Sequence, residues 1–207
     1  MVAHLVSAEM CANLMSLAEA LAHLDEAQRL IAQLGAARFE PLRLNCLAKT
    51  LRAMGRRDEA LPLLRQSVEA SRATSLTFSG PSALGALALT TDDPDERRSA
   101  IAEGEGLLRT GSLAHNHFRF YRDTIDAALR AEEWSEAERL ADALATFAAP
   151  EPLPWTDFHA ARGRVLAAWG RGERDEPQRT ALRRLAEQAQ SSGLLLALPA
   201  IEVALAH

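Results

Sequence analysis

Two histidines flank an asparagine near the middle of the chain, as His115, Asn116 and His117, and imidazole is a common metal ligand and general base. Residues two apart on a helix point about 200° away from each other, so these two imidazoles cannot easily bind one metal ion. Asp157 and His159 share a helix face poorly, and no serine or cysteine nucleophile lies in register with them. The spacing therefore predicts no metal site and no catalytic residue, and we expect a chain that is not an enzyme and needs no cofactor.

An acidic run at residues 92–96 is a second pattern that could suggest a metal site. Asp93 comes directly before Pro94, and Asp95 and Glu96 follow. An aspartate N-cap, a proline at the first helical position and acids in the first turn are typical of a helix start. Since each residue then has a local role, the run predicts a helix that begins near Pro94 rather than a metal centre.

Apolar residues recur at steps of three and four along most of the chain, which predicts amphipathic helices. Leu44, Leu47, Leu51 and Met54 share one such face, and Gly55 follows where a helix end favours a residue with positive φ. Alanine and leucine dominate and β-branched residues are scarce, so the predicted fold is all-α. We predict one domain over residues 1–207, with helix pairs at 2–36, 41–73, 76–109, 113–148 and 155–192 and a terminal helix at 194–205.

The first pair carries the signal for a repeat. Its first helix is predicted to span residues 2–21, and Asp25 is predicted to cap its second helix. The segment LAHLDEA, which ends at Ala27, is similar to MGRRDEA, which ends at Ala60, and the 33-residue offset is close to the tetratricopeptide period of about 34. The turns thus resemble tetratricopeptide repeats, which implies a helical-repeat solenoid, an α-α superhelix.

Composition limits the partners and the compartment. The net charge is −5, so nothing overall favours nucleic acid, and no apolar run is long enough to cross a membrane. The N-terminus lacks a basic segment of the secretory type. Cys11 and Cys46 lie on apolar helical faces without metal-ligand spacing, which is typical of buried reduced thiols. We therefore expect a cytoplasmic protein.

Five basic side chains and one asparagine, on the first helices of the second, fourth and fifth pairs, are the candidates for partner binding. In tetratricopeptide proteins these helices line a concave groove, and the resemblance places six residues of this chain there. Arginine and lysine in such a groove suit the carboxylates of an acidic peptide or a protein partner. Solvated charges without a ligand remain the alternative. The six are Asn45, Lys49, Arg52, Arg119, Arg122 and Arg164.

A second resemblance covers residues 80–204. Four segments are similar to the C-terminal helical-repeat region of large bacterial regulators, which join an adenylate/guanylate cyclase domain, a P-loop ATPase domain of the signal-transduction type and a repeat tail. This resemblance implies a regulatory or partner-binding tail. The chain holds no GxxxxGK[ST] motif and no cyclase-type pair of metal-binding aspartates, so neither active site is expected. The segments are GPSALGALALTTDDPDERRSAIAEGEGLL, HNHFRFYRDTIDAAL, EEWSEAERLADAL and PEPLPWTDFHAARGRVLAAWGRG.

Two functions follow from these patterns. The first is a non-enzymatic protein-interaction or regulatory module, and the alternative is a small-molecule effector sensor of an ATPase-linked transcription regulator.

A further expectation concerns the first helix, which begins at Met1 with no polar helix before it. Part of Val2, Leu5, Val6 and Ile31 is then expected to be uncovered, which predicts either self-association through the first pair or cover by an N-terminal neighbour.

Overall fold

The computed structural model describes residues 1–74 and 76–207, and every regular element in these two ranges is helical. The all-α class is therefore confirmed. Short 3₁₀ turns at Ala37–Phe39 and Leu195–Ala197 precede two of the helices. The helices are α1 (Val2–Asn13), α2 (Leu17–Leu34), α3 (Glu40–Ala53), α4 (Arg57–Thr74), α5 (Leu76–Thr90), α6 (Pro94–Arg109), α7 (Ala114–Arg130), α8 (Trp134–Ala148), α9 (Pro154–Gly170), α10 (Glu176–Ser191) and α11 (Leu198–Leu205).

The helix starting at Pro94 is confirmed with its cap. The Asp93 carboxylate accepts hydrogen bonds from the backbone N–H of Asp95 at 2.8 Å and of Glu96 at 3.3 Å. The boundary predicted for the first pair is wrong, because α1 ends at Asn13 and Asp25 lies inside α2. Met15 has φ 59° and turns the chain there, although nothing in its residue type signals a left-handed conformation.

Six turns in the described ranges end a helix with one geometry, at Met15, Gly35, Gly55, Glu132, Gly172 and Gly193, and three of them share a further feature. In each, the residue with positive φ is followed by a residue whose N–H bonds a carbonyl five positions back. This is the Schellman arrangement that closes a helix end. After Met15, Gly55 and Glu132, a fully buried alanine occupies the fourth position of the next helix, at Ala20, Ala60 and Ala137. Ala60 thus corresponds to Ala20, forty residues earlier, and the predicted match with Ala27 is wrong.

The chain divides into two compact units, and unit 1 comprises Met1–Phe120. Within it α1 packs on α2 and α3, α3 packs on α4 and α5, and α5 packs on α4 and α6. Helix α5 is apolar around most of its circumference, and all residues from 79 to 91 are buried. A Cβ built at Gly104 of α6 would lie closer than 3.0 Å to three ring atoms of Phe120, so this glycine makes room for the ring.

Unit 2 comprises Tyr121–His207, so the boundary falls within α7. Helix α9 packs on α8, α10 and α11, and α10 also packs on α11. Helix α7 approaches α9 closely at Gly163, where a Cβ would lie 2.8 Å from the Ile125 side chain of α7. The unit 2 core is built around Phe158, Leu166, Trp169, Leu182, Leu185 and Ile201. The single domain predicted over both units stays a prediction.

The first pair is covered more completely than expected. Leu5 and Ile31 are buried, so the expectation for these two residues is wrong, whereas Val2 and Val6 are about half exposed as expected. Leu5 packs with Leu24, Ala27 and Cys46 because α1 is enclosed by α2 on one side and α3 on another. In the two described ranges, no helix combines the length and the apolar character that crossing a membrane requires.

Candidate functional site

A polar cluster lies in unit 1 where α3 meets α5. Asn45 and Lys49 are one turn apart on α3, and both side chains reach Ser82 of α5. Asn45 Nδ2 donates to the Ser82 hydroxyl over 3.0 Å, and Lys49 Nζ lies 3.5 Å from the same oxygen. Asn45 and Ser82 are buried, while Lys49 is partly exposed, so the ammonium is the part of the cluster that water and ligands reach.

The amide oxygen of Asn45 has unused hydrogen-bonding capacity. Its Oδ1 is buried and accepts no hydrogen bond within the described residues. An unsatisfied buried polar atom lowers the stability of a folded protein by about 1–3 kcal/mol, so packing alone does not favour an amide at this position. Arg52, one turn after Lys49 on α3, is half-buried. An amide, a hydroxyl and an ammonium side by side suit a ligand that carries an oxyanion and a donor group.

Arg119 is paired with a carboxylate of its own unit. It donates a hydrogen bond to Glu9 of α1, and the two side chains are 23% and 17% exposed. We predicted that this guanidinium binds a carboxylate of a partner. In the structure the carboxylate that it binds belongs to the chain itself. Any acidic partner that uses Arg119 must displace Glu9 or share the guanidinium with it.

The His115–Asn116–His117 segment at the start of α7 serves to anchor that helix. Asn116 is buried and donates to the carbonyl oxygens of Thr77 at 2.9 Å and Phe78 at 3.1 Å. Burial, and then the positive charge of Arg119, lowers the pKa of His115, and burial lowers the pKa of His117. Among the described residues, no three His, Cys, Asp or Glu side chains are grouped as a metal site requires.

Arg122 belongs to unit 2 and is paired with its neighbour in sequence. Its Nε donates to Asp123 over 2.9 Å, and the Asp123 side chain is only 2% exposed. Arg164 lies elsewhere: it donates to Asp142 of α8 over 2.8 Å at an exposed position. Since Arg164 and the buried Arg162 are two residues apart on α9, they point to nearly opposite sides of that helix.

Three residues of α9, the partly exposed Trp155 and the buried His159 and Arg162, form a cluster that our sequence reasoning missed. The ring of His159 packs against that of Trp155, with centroids 4.2 Å apart and planes tilted by 50°, and Arg162 donates to Asp126 of α7 and to the Ala197 carbonyl. Burial, followed by the charges of Arg122 and Arg162, holds the pKa of His159 well below its usual range, although Asp123 opposes the shift. The spacing of residues 155, 159 and 162 marks one helical face and could have revealed the cluster.

A cleft of about 560 Å³ opens between α9 and α10 in unit 2. Its floor is apolar and includes Phe158, Val165 and Leu185, and its rim carries Asp157 and Arg184. Its volume is in the range typical of small-molecule sites. The cleft was not expected from the sequence, because it depends on how far α10 stands from α9.

Partners within the chain limit the use of several predicted groove residues, and Lys49 shares Ser82 with Asn45. Asn45 is tied to Ser82, and the three arginines Arg119, Arg122 and Arg164 are tied to carboxylates of the chain. Comparison with protein-family models, with curated proteins and with solved structures gives no match for this chain. The fold and the side-chain geometry are therefore the grounds on which a function is proposed.

Proposed function

We propose that this chain is a non-enzymatic protein-interaction and regulatory module made of helical repeats. The observation that carries the proposal is the turn shared by three helix pairs, each with a residue of positive φ, a Schellman hydrogen bond and a fully buried alanine. Recurrence of one supersecondary unit is the signature of solenoids, whose first helices line an extended binding surface. The spacing of forty residues between Ala20 and Ala60 is wider than the tetratricopeptide period of about 34.

The partner that fits unit 1 is a protein with an acidic segment. Lys49 is the one lysine of the sequence and the accessible part of the Asn45–Ser82 cluster. A carboxylate that reaches Lys49 would gain an ion pair, and an amide N–H beside that carboxylate could donate to the buried Asn45 Oδ1. A peptide carries both groups, which is why we favour a peptide segment over a simple anion. The resemblance to the tails of cyclase/ATPase regulators supports a signalling role.

The test begins with the full-length chain as bait in a lysate of its native host, followed by identification of the captured protein by mass spectrometry. Titration calorimetry with the purified partner then compares the wild type with Lys49→Glu. We expect at least a tenfold loss of affinity, because the substitution replaces an attractive charge by a repulsive one.

The matched control for this test is Arg98→Glu, which reverses a charge on α6, a second helix of its pair, where the side chain is 61% exposed. We expect unchanged affinity for this variant. Equal losses in both variants would mean that net charge alone decides binding, and unchanged affinity of Lys49→Glu would remove the cluster from the site.

The cleft between α9 and α10 favours a second candidate, a small-molecule effector sensor. An apolar floor with one acidic and one basic side chain on the rim suits an amphipathic ligand with a polar end. A thermal-shift screen of the full chain against small amphipathic metabolites would find such a ligand. Ala181 lines the cleft, so Ala181→Trp should fill it and abolish the shift, whereas a shift that persists would place the ligand elsewhere.

A further inference from the structure

The outward face of α1, continued by Leu14 directly after the helix, carries a stripe of exposed apolar side chains. Val2, Val6, Met10 and Leu14 are 49%, 48%, 59% and 48% exposed, and they follow one another at steps of four. The opposite face of α1 is fully used, because Leu5, Ala8 and Ala12 are buried. Helix α1 is thus apolar on both sides, and one side has no cover within the described chain.

The exposed face of α1 carries no charged side chain. Glu9 is the one Asp, Glu, Lys or Arg of α1, and it is turned to Arg119 and only 17% exposed. His4 is turned to His23 of α2, with the two Nδ1 atoms 3.0 Å apart. The remaining exposed neighbours on the helix are Ala3 and the turn residue Met15. The exposed Glu19 of α2 lies beside α1, with its carboxylate 3.9 Å from Cys11 Sγ, so the charge that approaches this face comes from its edge.

We propose that this face is the interface of a homodimer in which α1 of one copy packs against α1 of a second copy. Two copies with net charge −5 repel each other over most of their surface, but here they can meet without like charges opposite one another. Side chains at steps of four form a ridge along a helix. When two helices pack through such ridges, the ridge of each fits into a groove of the other and the helix axes cross at about −50°. The same stripe on both copies satisfies the isologous contact that a two-fold axis requires.

The area of the stripe sets the strength of the dimer. Four side chains of this size at about half exposure, with their small neighbours, present on the order of 400–500 Å². Two such faces bury on the order of 800–1,000 Å² together, which lies at the lower limit for specific protein interfaces. We therefore infer a reversible dimer that depends on concentration and not an obligate one. The strongly exposed Val203 of α11, by contrast, follows the exposed Glu202, and the exposed apolar residues nearest to it in helical spacing are the small Ala200 and Pro199 and then Leu196.

Sedimentation equilibrium of the full chain over a range of concentrations tests the proposal. We expect the weight-average mass of the wild type to rise from one chain toward two, and to do so at least as strongly in high salt, because no ion pair is involved. Val6→Glu should remain at the mass of one chain over the same range. The matched control is Val203→Glu, an equal substitution at a 62% exposed valine, which should dimerise like the wild type.

Three results would overturn the inference: a wild type that stays a single chain at the highest concentration, a Val6→Glu variant that dimerises normally, or equal loss in Val203→Glu. Thermal unfolding must be compared in each variant, and Met10→Glu provides a second disruption of the stripe if Val6→Glu unfolds. The partner affinity measured with Lys49→Glu depends on other residues, so failure of the dimer and failure of the proposed function are separate outcomes.

Discussion

Arg119 of α7 donates a hydrogen bond to Glu9 of α1, a residue 110 positions earlier in the chain. The contact ties the first helix of unit 1 to the last, beyond the packing of α1 on α2 and α3. Both side chains are less than a quarter exposed, so water and salt screen the pair less than they screen the exposed pairs of the same unit. The pair therefore closes unit 1 and also occupies a guanidinium that an acidic ligand could bind.

A double-mutant cycle with Glu9→Gln and Arg119→Gln should give a coupling free energy of about 1 kcal/mol in urea unfolding. Each single variant should be less stable than the wild type, because it leaves one charge partly buried without its partner. The matched control is the exposed pair Arg56–Glu59, where the same cycle should give a smaller coupling. Equal coupling free energies in the two cycles would mean that the Glu9–Arg119 pair stabilises the protein no more than an ordinary surface ion pair does.

Gly104 and Gly106 of α6 should respond in opposite directions to alanine. Both lie inside a helix, where glycine is destabilising by roughly 0.5–1 kcal/mol relative to alanine. A methyl group at Gly106 meets only the end of the Arg109 side chain at 3.8 Å, so Gly106→Ala should raise the free energy of unfolding by about that amount. At Gly104 the methyl group would clash with Phe120, so Gly104→Ala should lower the free energy of unfolding.

Urea unfolding of the two glycine variants, followed by circular dichroism, measures both effects. The ring of Phe120 is fully buried and has little room to move away from a new methyl group. If both variants were stabilised equally, the helix-propensity gain would exceed the packing cost, and Phe120 would not be seated on Gly104.

The shared alanine of the helix pairs gives a third prediction. Ala60 is fully buried near the start of α4, so Ala60→Leu should overpack the contact and lower the free energy of unfolding by about 1–3 kcal/mol. Ala73→Leu adds the same side chain at an exposed position of α4 and serves as the control, with little change expected. An Ala60→Leu variant as stable as this control would show that the helices do not meet closely there.

Local signals in the sequence were sufficient for the end of α3 and the start of α6. Gly55 follows the apolar face of α3 and signals the end of that helix. Asp93 and Pro94 signal the start of α6. The break between α1 and α2 was missed because Met15 and not a glycine adopts positive φ there. A methionine in that conformation is held by the packing around it, which a local pattern does not contain.

The candidate site could be predicted only in part. The resemblance to tetratricopeptide repeats placed Asn45 and Lys49 together on the first helix of the second pair, and the structure brings both to Ser82. The partners of the arginines could not be foreseen, because Glu9 and Arg119 are brought together by tertiary packing and no periodic pattern connects them. The prediction of a basic groove treated each arginine by its own charge, whereas the structure pairs Arg119 and Arg122 with acids.

The buried imidazole of His159 should make unfolding depend on pH. Its pKa in the folded protein lies well below the value of about 6.5 expected in the unfolded chain, mainly because burial disfavours the charged form. As pH falls below about 6.5, the unfolded chain binds a proton that the folded protein does not, so the free energy of unfolding decreases. The full stability is present above that pH, and the loss approaches about 1.4 kcal/mol per pH unit for one such group.

Urea unfolding between about pH 7 and pH 5 measures this slope in the wild type and in His159→Gln, since an uncharged amide cannot titrate in this range. We expect a shallower slope in the variant, even if loss of the Trp155 contact lowers its stability at every pH. A slope that is unchanged in His159→Gln would mean that the imidazole takes up its proton within the folded protein, and that the cluster with Arg162 and Asp126 opens to water before unfolding.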